Sequence, residues 1–301
     1  MSREYDALLA AFSKPMFPAG DPLEVARDKL NAVHGHPVAS DVRVEWTELG
    51  GVPCAWVDTP ESEGSKRVLV LCHGGAYIAA CRDAYLFYAE MLSRPCSARI
   101  LLVDYRLAPE HRFPAALDDC VNAFRGLVDA GIAPERVGLI GDSCGGGLAI
   151  SSLLRLRALG AELPALAVSL GGWFDLEASG ESARSPVSFD PFAQPAFIRE
   201  RGRDYLGDGG DVRDPLASPL YADLSGLPPL LLQVGQVDLT RDDAVRLAAR
   251  AGRAGVDVTL EIHPRMIHGF QGLANAGIPE ARDALVRVAA YVAARIPYAT
   301  D

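Results

Sequence analysis

From residue 41 onward the chain alternates between short apolar runs and longer stretches with helical periodicity. The apolar runs are Arg67–Cys72, Arg99–Asp104, Val137–Gly141, Ala165–Leu170, Pro229–Val234 and Val256–Ile262. Each is mostly aliphatic and bounded by Gly, Pro or polar residues, the pattern of strands buried on both faces rather than of helices. Between them Tyr85–Ser93, Leu117–Ala130, Leu148–Leu159, Asp242–Ala254 and Ala281–Ala294 read as helices. Such an alternation predicts an α/β fold: a mostly parallel sheet with helices on both faces, joined by right-handed crossovers. Ahead of it, Asp41–Leu49 and Val52–Asp58 alternate polar and apolar residues around Gly50-Gly51, which predicts a hairpin.

Two regions depart from this alternation. Residues 1–36 hold two amphipathic helical pieces, around Glu4–Phe12 and Leu23–Ala32, joined by the Pro- and Gly-rich stretch Pro15–Pro22. With no strand to pair, this segment is expected to lie over the main domain. Glu177–Asp214 is longer than a strand connection needs, rich in Gly, Pro, Ser and charge, and studded with Phe189, Phe192, Phe197 and Tyr205. It reads as a lid rather than a floppy loop.

Composition narrows the partners. With 301 residues, 49% hydrophobic and 23% charged, the chain can bury a sizeable core. A net charge of −10 argues against nucleic acid and anionic membranes, both of which it would repel, and suits a neutral or cationic small molecule. The six cysteines (54, 72, 81, 96, 120, 144) are scattered, with no C-x-x-C pair and no zinc spacing, so neither metal nor disulfide framework is expected. The apolar runs are too short to span a bilayer, and Met-Ser-Arg-Glu-Tyr-Asp offers no signal-peptide core. A reducing, cytoplasmic setting is the expectation.

Candidate chemistry centres on Gly141-Asp142-Ser143-Cys144-Gly145, between a strand and a helix. A serine on a sharp strand-to-helix turn needs neighbours without bulk, and glycines two before and two after supply that room. The helix start behind it aims N–H groups at any oxyanion formed there. The spacing also arises by chance, and Gly-rich turns of this type hold nucleotides, but G-x-G-x-x-G and G-K-[ST] are both missing here. A serine nucleophile needs a base, and the base an orienting acid; in the chain order that goes with this elbow, acid and then histidine follow the serine. Of six histidines only His263 and His268 follow it. His263 ends a strand, whereas His268 sits on the loop beyond, free to reach the sheet edge. Asp238 follows the strand Pro229–Val234; Asp242 and Asp243 begin the next helix, where a carboxylate mainly caps N–H groups, and Glu261 lies within a strand. Cys72-His73-Gly74-Gly75-Ala76-Tyr77 follows the first parallel strand and looks like a turn whose N–H groups hold an oxyanion. Gly74, Gly75, Ala76 and Cys144 are the candidate donors. His73 there is expected to brace the loop, and the Cys144 thiol to point away from the base.

Taken together, His73-Gly-Gly-Ala-Tyr77, Asp104–Asp119, Gly141–Gly146, Asp238–Asp242 and His268-Gly-Phe270 resemble the hormone-sensitive-lipase-type (family IV) bacterial esterases of the α/β-hydrolase fold. The motifs run in family order from residue 73 to 270. The resemblance implies hydrolysis of carboxylic esters by Ser143, Asp238 and His268 without metal or cofactor, and frequent homodimers. It implies a cap formed by residues 1–40 and 177–214 over a catalytic domain of residues 41–176 and 215–301. The aromatics Tyr77, Trp173, Phe189, Phe192 and Phe197 are candidates for an apolar substrate pocket. Three departures from the family pattern bear on substrate choice: Ala76 for the third glycine, Cys144 for the elbow alanine, and Leu-Thr-Arg between Asp238 and Asp242. Short- to medium-chain esters are expected, since a capped pocket suits soluble substrates. A lactone hydrolase with the same triad, or a small-ligand receptor without turnover, is the alternative.

Overall fold

The computed structural model describes residues 2–80, 82–184, 190–192 and 194–298. Among them, eight strands form one sheet: β1 (Arg43–Leu49), β2 (Val52–Asp58), β3 (Val68–Cys72), β4 (Arg99–Val103), β5 (Val137–Asp142), β6 (Leu166–Leu170), β7 (Leu230–Gly235) and β8 (Val258–His263). Their order across the sheet is β1-β2-β4-β3-β5-β6-β7-β8. The hairpin closes with Leu49 opposite Val52, and its turn glycines Gly50 and Gly51 both adopt positive φ, as a two-residue turn between right-twisted strands requires. β2 joins β4 antiparallel; every pairing from β4 through β3 to β8 is parallel. Each apolar run is therefore a strand, displaced by at most two residues at its ends.

The helices are α1 (Arg3–Ala10), α2 (Leu23–His34), α3 (Arg82–Cys96), α4 (Ala115–Asp129), α5 (Cys144–Ala158), α6 (Glu181–Arg184), α7 (Pro195–Leu206), α8 (Arg241–Arg253) and α9 (Pro279–Arg295). α3 and α9 cover one face of the sheet, α4, α5 and α8 the other. β3 shows why its sequence does not alternate. Leu69 and Leu71 join the core that holds Leu92 and Val288, while Val68 and Val70 join the one that holds Leu117 and Leu153. Both faces are dry, so every position is apolar, and each buried aliphatic side chain contributes about 1.5–3 kcal/mol.

The N-terminal segment and the 177–214 insertion pack against each other. Phe17 stacks on Phe197 with ring centres 5.5 Å apart, and Phe12 meets Phe192 edge-on at 5.4 Å. The Met16 N–H donates to the Pro191 carbonyl at 2.9 Å, and the Gly20 N–H to the Glu200 carboxylate at 3.1 Å. Among the described residues no helix is long and apolar enough to cross a membrane.

Candidate active site

Four loops at the carboxyl ends of β3, β5, β7 and β8 converge above the sheet edge, where open parallel sheets place their sites. Ser143 follows β5 with φ 53° and ψ −124°, a conformation costing an L-residue about 1–3 kcal/mol. Its main chain is held on both sides: its N–H donates to Leu170, and its carbonyl accepts from Gly146 and Trp173. The flanking glycines are there for close approach. A Cβ on Gly145 would lie 2.0 Å from the Cys72 carbonyl oxygen, and one on Gly141 would lie 2.2 Å from that of Gly145.

Behind β3, His73 is wholly buried and stacked on Tyr105 at 4.0 Å, its Nδ1–H donating to the Gly74 carbonyl at 2.7 Å. Burial pushes its pKa down to about 4, so the ring is neutral. It braces the turn. Asp142, the variable residue of the elbow, is also buried. It accepts the Gly74 N–H at 3.0 Å and the Tyr85 hydroxyl at 2.8 Å, and burial raises its pKa to about 6. This link removes Gly74 from the oxyanion donors expected from sequence, because its N–H is already spent. The N–H groups of Gly75 and Cys144 have no protein acceptor among the described residues. Ala76 borders the cavity above Ser143 with φ 54°, a left-handed conformation that glycine takes more easily. The Cys144 sulfur turns inward to accept the Tyr77 N–H at 3.2 Å, with its thiol pushed up to about 12 by burial.

The candidate base lies on the loop after β8. His268 Nε2 lies 2.9 Å from Ser143 Oγ and Nδ1 lies 3.0 Å from Asp238 Oδ2. Asp238, fully buried after β7, is held through its other oxygen by the Thr240 N–H at 2.8 Å and hydroxyl at 3.0 Å. Burial alone would push the His268 pKa down, but Asp238, then Asp190 and Asp142, outweigh it and hold the imidazole above its ordinary value. His263 stays at the end of β8, 3.5 Å from Glu261 and packed on Phe270. Asp242 and Asp243 do cap N–H groups, though not those of their own helix. Asp242 accepts from Ser182, and Asp243 from Phe174 and Asp175, tying the start of the insertion to α8.

A cavity of about 460 Å³ opens onto Ser143 and His268. Its walls include Phe12, Met16 and Phe17 from the N-terminal segment, Phe192 and Phe197 from the insertion, and Trp173. Tyr77 is not among them: it is buried behind the site, stacked face to face on Tyr205 at 3.7 Å. Phe189 lies outside the described residues. The contributions of Phe12, Met16 and Phe17 escaped the sequence, although Met16 and Phe17 stand in the breaker-rich stretch and Phe12 just ahead of it, in a segment without a strand partner. So did Asp142 and Asp190. The first fills the variable position of the motif, and the second is a lone acid in an aromatic, Pro-containing stretch. Among the described residues no cluster of His, Cys, Asp and Glu could hold a metal ion.

A family model described as α/β-hydrolase fold matches residues 69–272. An acetyl-hydrolase of Streptomyces hygroscopicus is 36% identical over 90% of this chain and 89% of its own. An esterase of Acinetobacter venetianus is 33% identical over 85% of this chain and 83% of its own. A crystal structure of an esterase from the bacterial hormone-sensitive lipase family superposes with a TM-score of 0.91 at 36% identity, over 98% of this chain and 99% of the other.

Proposed function

The chain belongs to the α/β-hydrolase fold family, among the bacterial hormone-sensitive-lipase esterases, and we propose that it hydrolyses short- to medium-chain carboxylic esters through a Ser143–His268–Asp238 triad. It is a carboxylic ester hydrolase by kinship with esterases and acetyl-hydrolases over most of its length. The observation that carries the triad is one unbroken chain of hydrogen bonds, Oγ to Nε2 at 2.9 Å and Nδ1 to Oδ2 at 3.0 Å, on the floor of an apolar cavity.

In this reading Ser143 Oγ attacks the ester carbonyl as its proton passes to His268 Nε2. The carbonyl electron pair moves onto oxygen, where the N–H groups of Gly75 and Cys144, with Ala76 alongside, receive it. Each such donor is worth about 3–4 kcal/mol of barrier. Collapse breaks the ester C–O bond, and His268 returns the proton to the departing alcohol. Water then gives its proton to His268 and attacks the acyl-enzyme, and Ser143 leaves protonated. Asp238 holds the ring with Nε2 toward the serine and stabilises the transient imidazolium.

The facing aromatic walls from residues 1–40 and 177–214 support a cap over residues 41–176 and 215–301. A cavity of about 460 Å³ is in the range of small-molecule sites and suits a modest acyl or alcohol group. Hydrolysis of p-nitrophenyl esters from acetate to dodecanoate by wild type and Ser143→Ala tests the reading. Wild-type turnover should peak at the shorter chains, and the variant should lose about 10⁴-fold or more. Activity of Ser143→Ala within tenfold of wild type would exclude the serine as nucleophile.

A further inference from the structure

We infer that Asp190, a carboxylate carried by the insertion, is a positioning residue for the base, pinning the main chain of His268 while Asp238 aligns its ring. The inference rests on His268 being the base. Asp190 is 3% exposed, and its Oδ2 accepts the His268 N–H at 2.7 Å. Its Oδ1 accepts the Phe192 N–H at 2.8 Å, and its carbonyl accepts the Gln194 side-chain N–H, so the carboxylate is fixed by its own turn.

The base loop needs such a pin. His268 itself lies between the end of β8 and a short 3-10 helix (Phe270–Ala274), and the loop passes through two left-handed residues, Arg265 at φ 59° and Gly269 at φ 63°. Without Asp190 the His268 N–H would be left in a largely buried site without an acceptor, at a cost comparable to a lost hydrogen bond. The same loop is gripped from the N-terminal segment, where the Tyr5 hydroxyl donates to the Arg265 carbonyl at 2.9 Å. Both pieces of the cap therefore hold the base as well as roof the cavity.

The turn also connects base and substrate space. Two residues beyond Asp190, Phe192 lines the cavity and meets Phe12 edge-on, and Pro191 accepts the Met16 N–H. A group filling the cavity presses on the turn whose carboxylate holds His268.

Charge gives the positioning role a signature. Around His268 stand the carboxylates of Asp238, Asp190 and Asp142 and the neutral ring of His34, while Tyr5, which feels the charge of Asp190, also feels those of Arg265 and Glu280. Removing the Asp190 charge lowers the pKa of His268. Because the base acts when neutral, the acidic limb of the kcat/KM profile must move to lower pH.

The experiment compares wild type, Asp190→Asn, Asp190→Glu and Ser143→Ala as pH profiles on p-nitrophenyl butyrate, with melting curves for each. Asn offers one oxygen for two N–H groups. Its kcat should fall about 10- to 100-fold, the scale of a misplaced catalytic group, with KM within threefold and the limb shifted to lower pH. Asp190→Glu keeps the charge but is one methylene too long for the same pin, so its limb should stay near the wild-type position while its kcat also falls; this arm decides the matter if the Asn variant does not fold. A profile for Asp190→Asn, or for Asp190→Glu where Asn is unfolded, that departs from these expectations by matching wild type in kcat or by raising only KM would reduce Asp190 to a strap for the cap. Turnover by Ser143→Ala would overturn the triad reading itself, and this inference with it.

Discussion

The two halves of the proposed triad, the Ser143 side and the His268 side, are built by different means. On the nucleophile side, Ser143, the Gly74–Ala76 turn and α5 are locked by main chain against main chain, with glycine wherever a Cβ would strike a carbonyl. Its polar groups are dry: His73 is neutral, and Asp142 is satisfied by Gly74 and Tyr85. On the base side, main-chain packing ends at Met266 and Ile267, whose carbonyls press on Gly235, and His268 beyond them is positioned by side chains from far along the sequence: Tyr5, Asp190 and Asp238. One half is a rigid mould and the other a suspended arm. A nucleophile attacking a carbonyl needs a fixed oxyanion geometry, whereas the base has to serve Ser143, the leaving alcohol and water in turn. The difference suits those tasks.

The sharpest break in this comparison is a pair of glycine substitutions. Gly145→Ala puts a Cβ 2.0 Å from the Cys72 carbonyl and 2.5 Å from that of His73, so backbone must move. We expect a loss of about 3 kcal/mol or more and at least 10²-fold in kcat, read by urea unfolding and steady-state kinetics. Gly269→Ala, beside the base, meets nothing within 4 Å and suffers only its φ of 63°, about 1–2 kcal/mol. Equal losses from the two would erase the distinction.

A second test exploits the dryness of the nucleophile side. His73 titrates near 6.5 when unfolded and near 4 when folded, because burial disfavours its charged form. Its folded pKa is depressed, so the unfolded chain binds the proton more readily. Stability is then fully present above about pH 6.5 and is lost as pH falls toward 4. Wild type should lose up to about 1.4 kcal/mol per pH unit across that window relative to His73→Asn, whatever the offset between them at pH 7. Unfolding curves for the pair at several pH values measure this, and parallel pH dependences would refute it.

The smallest effect belongs to the arm. Tyr5→Phe removes one hydrogen bond to the Arg265 carbonyl and should cost about 1 kcal/mol of stability and a few-fold in kcat, with KM little changed. A loss as large as that of Gly145→Ala would mean that the base loop is as rigid as the elbow.

The amino-acid sequence alone determined whatever rests on neighbours a few residues apart. Period and residue type made the strands and helices legible, since a strand buried on both faces holds mostly apolar side chains, with buried polar exceptions such as Ser169 and Gln233. Glycine spacing marked the elbow, since a turn that tight excludes Cβ atoms locally. Asp238 and His268 could be picked out because each follows a strand end. Tertiary structure decided what depends on distant segments meeting. It set β4 between β2 and β3, consumed the Gly74 N–H on Asp142, and buried Tyr77 against Tyr205. It also brought Tyr5 and Asp190 to the base across 260 and 78 residues of chain. A hydrogen bond between such positions leaves no periodicity and no spacing in the sequence. The donor and acceptor become neighbours only once the sheet has brought the ends of β3, β5, β7 and β8 together.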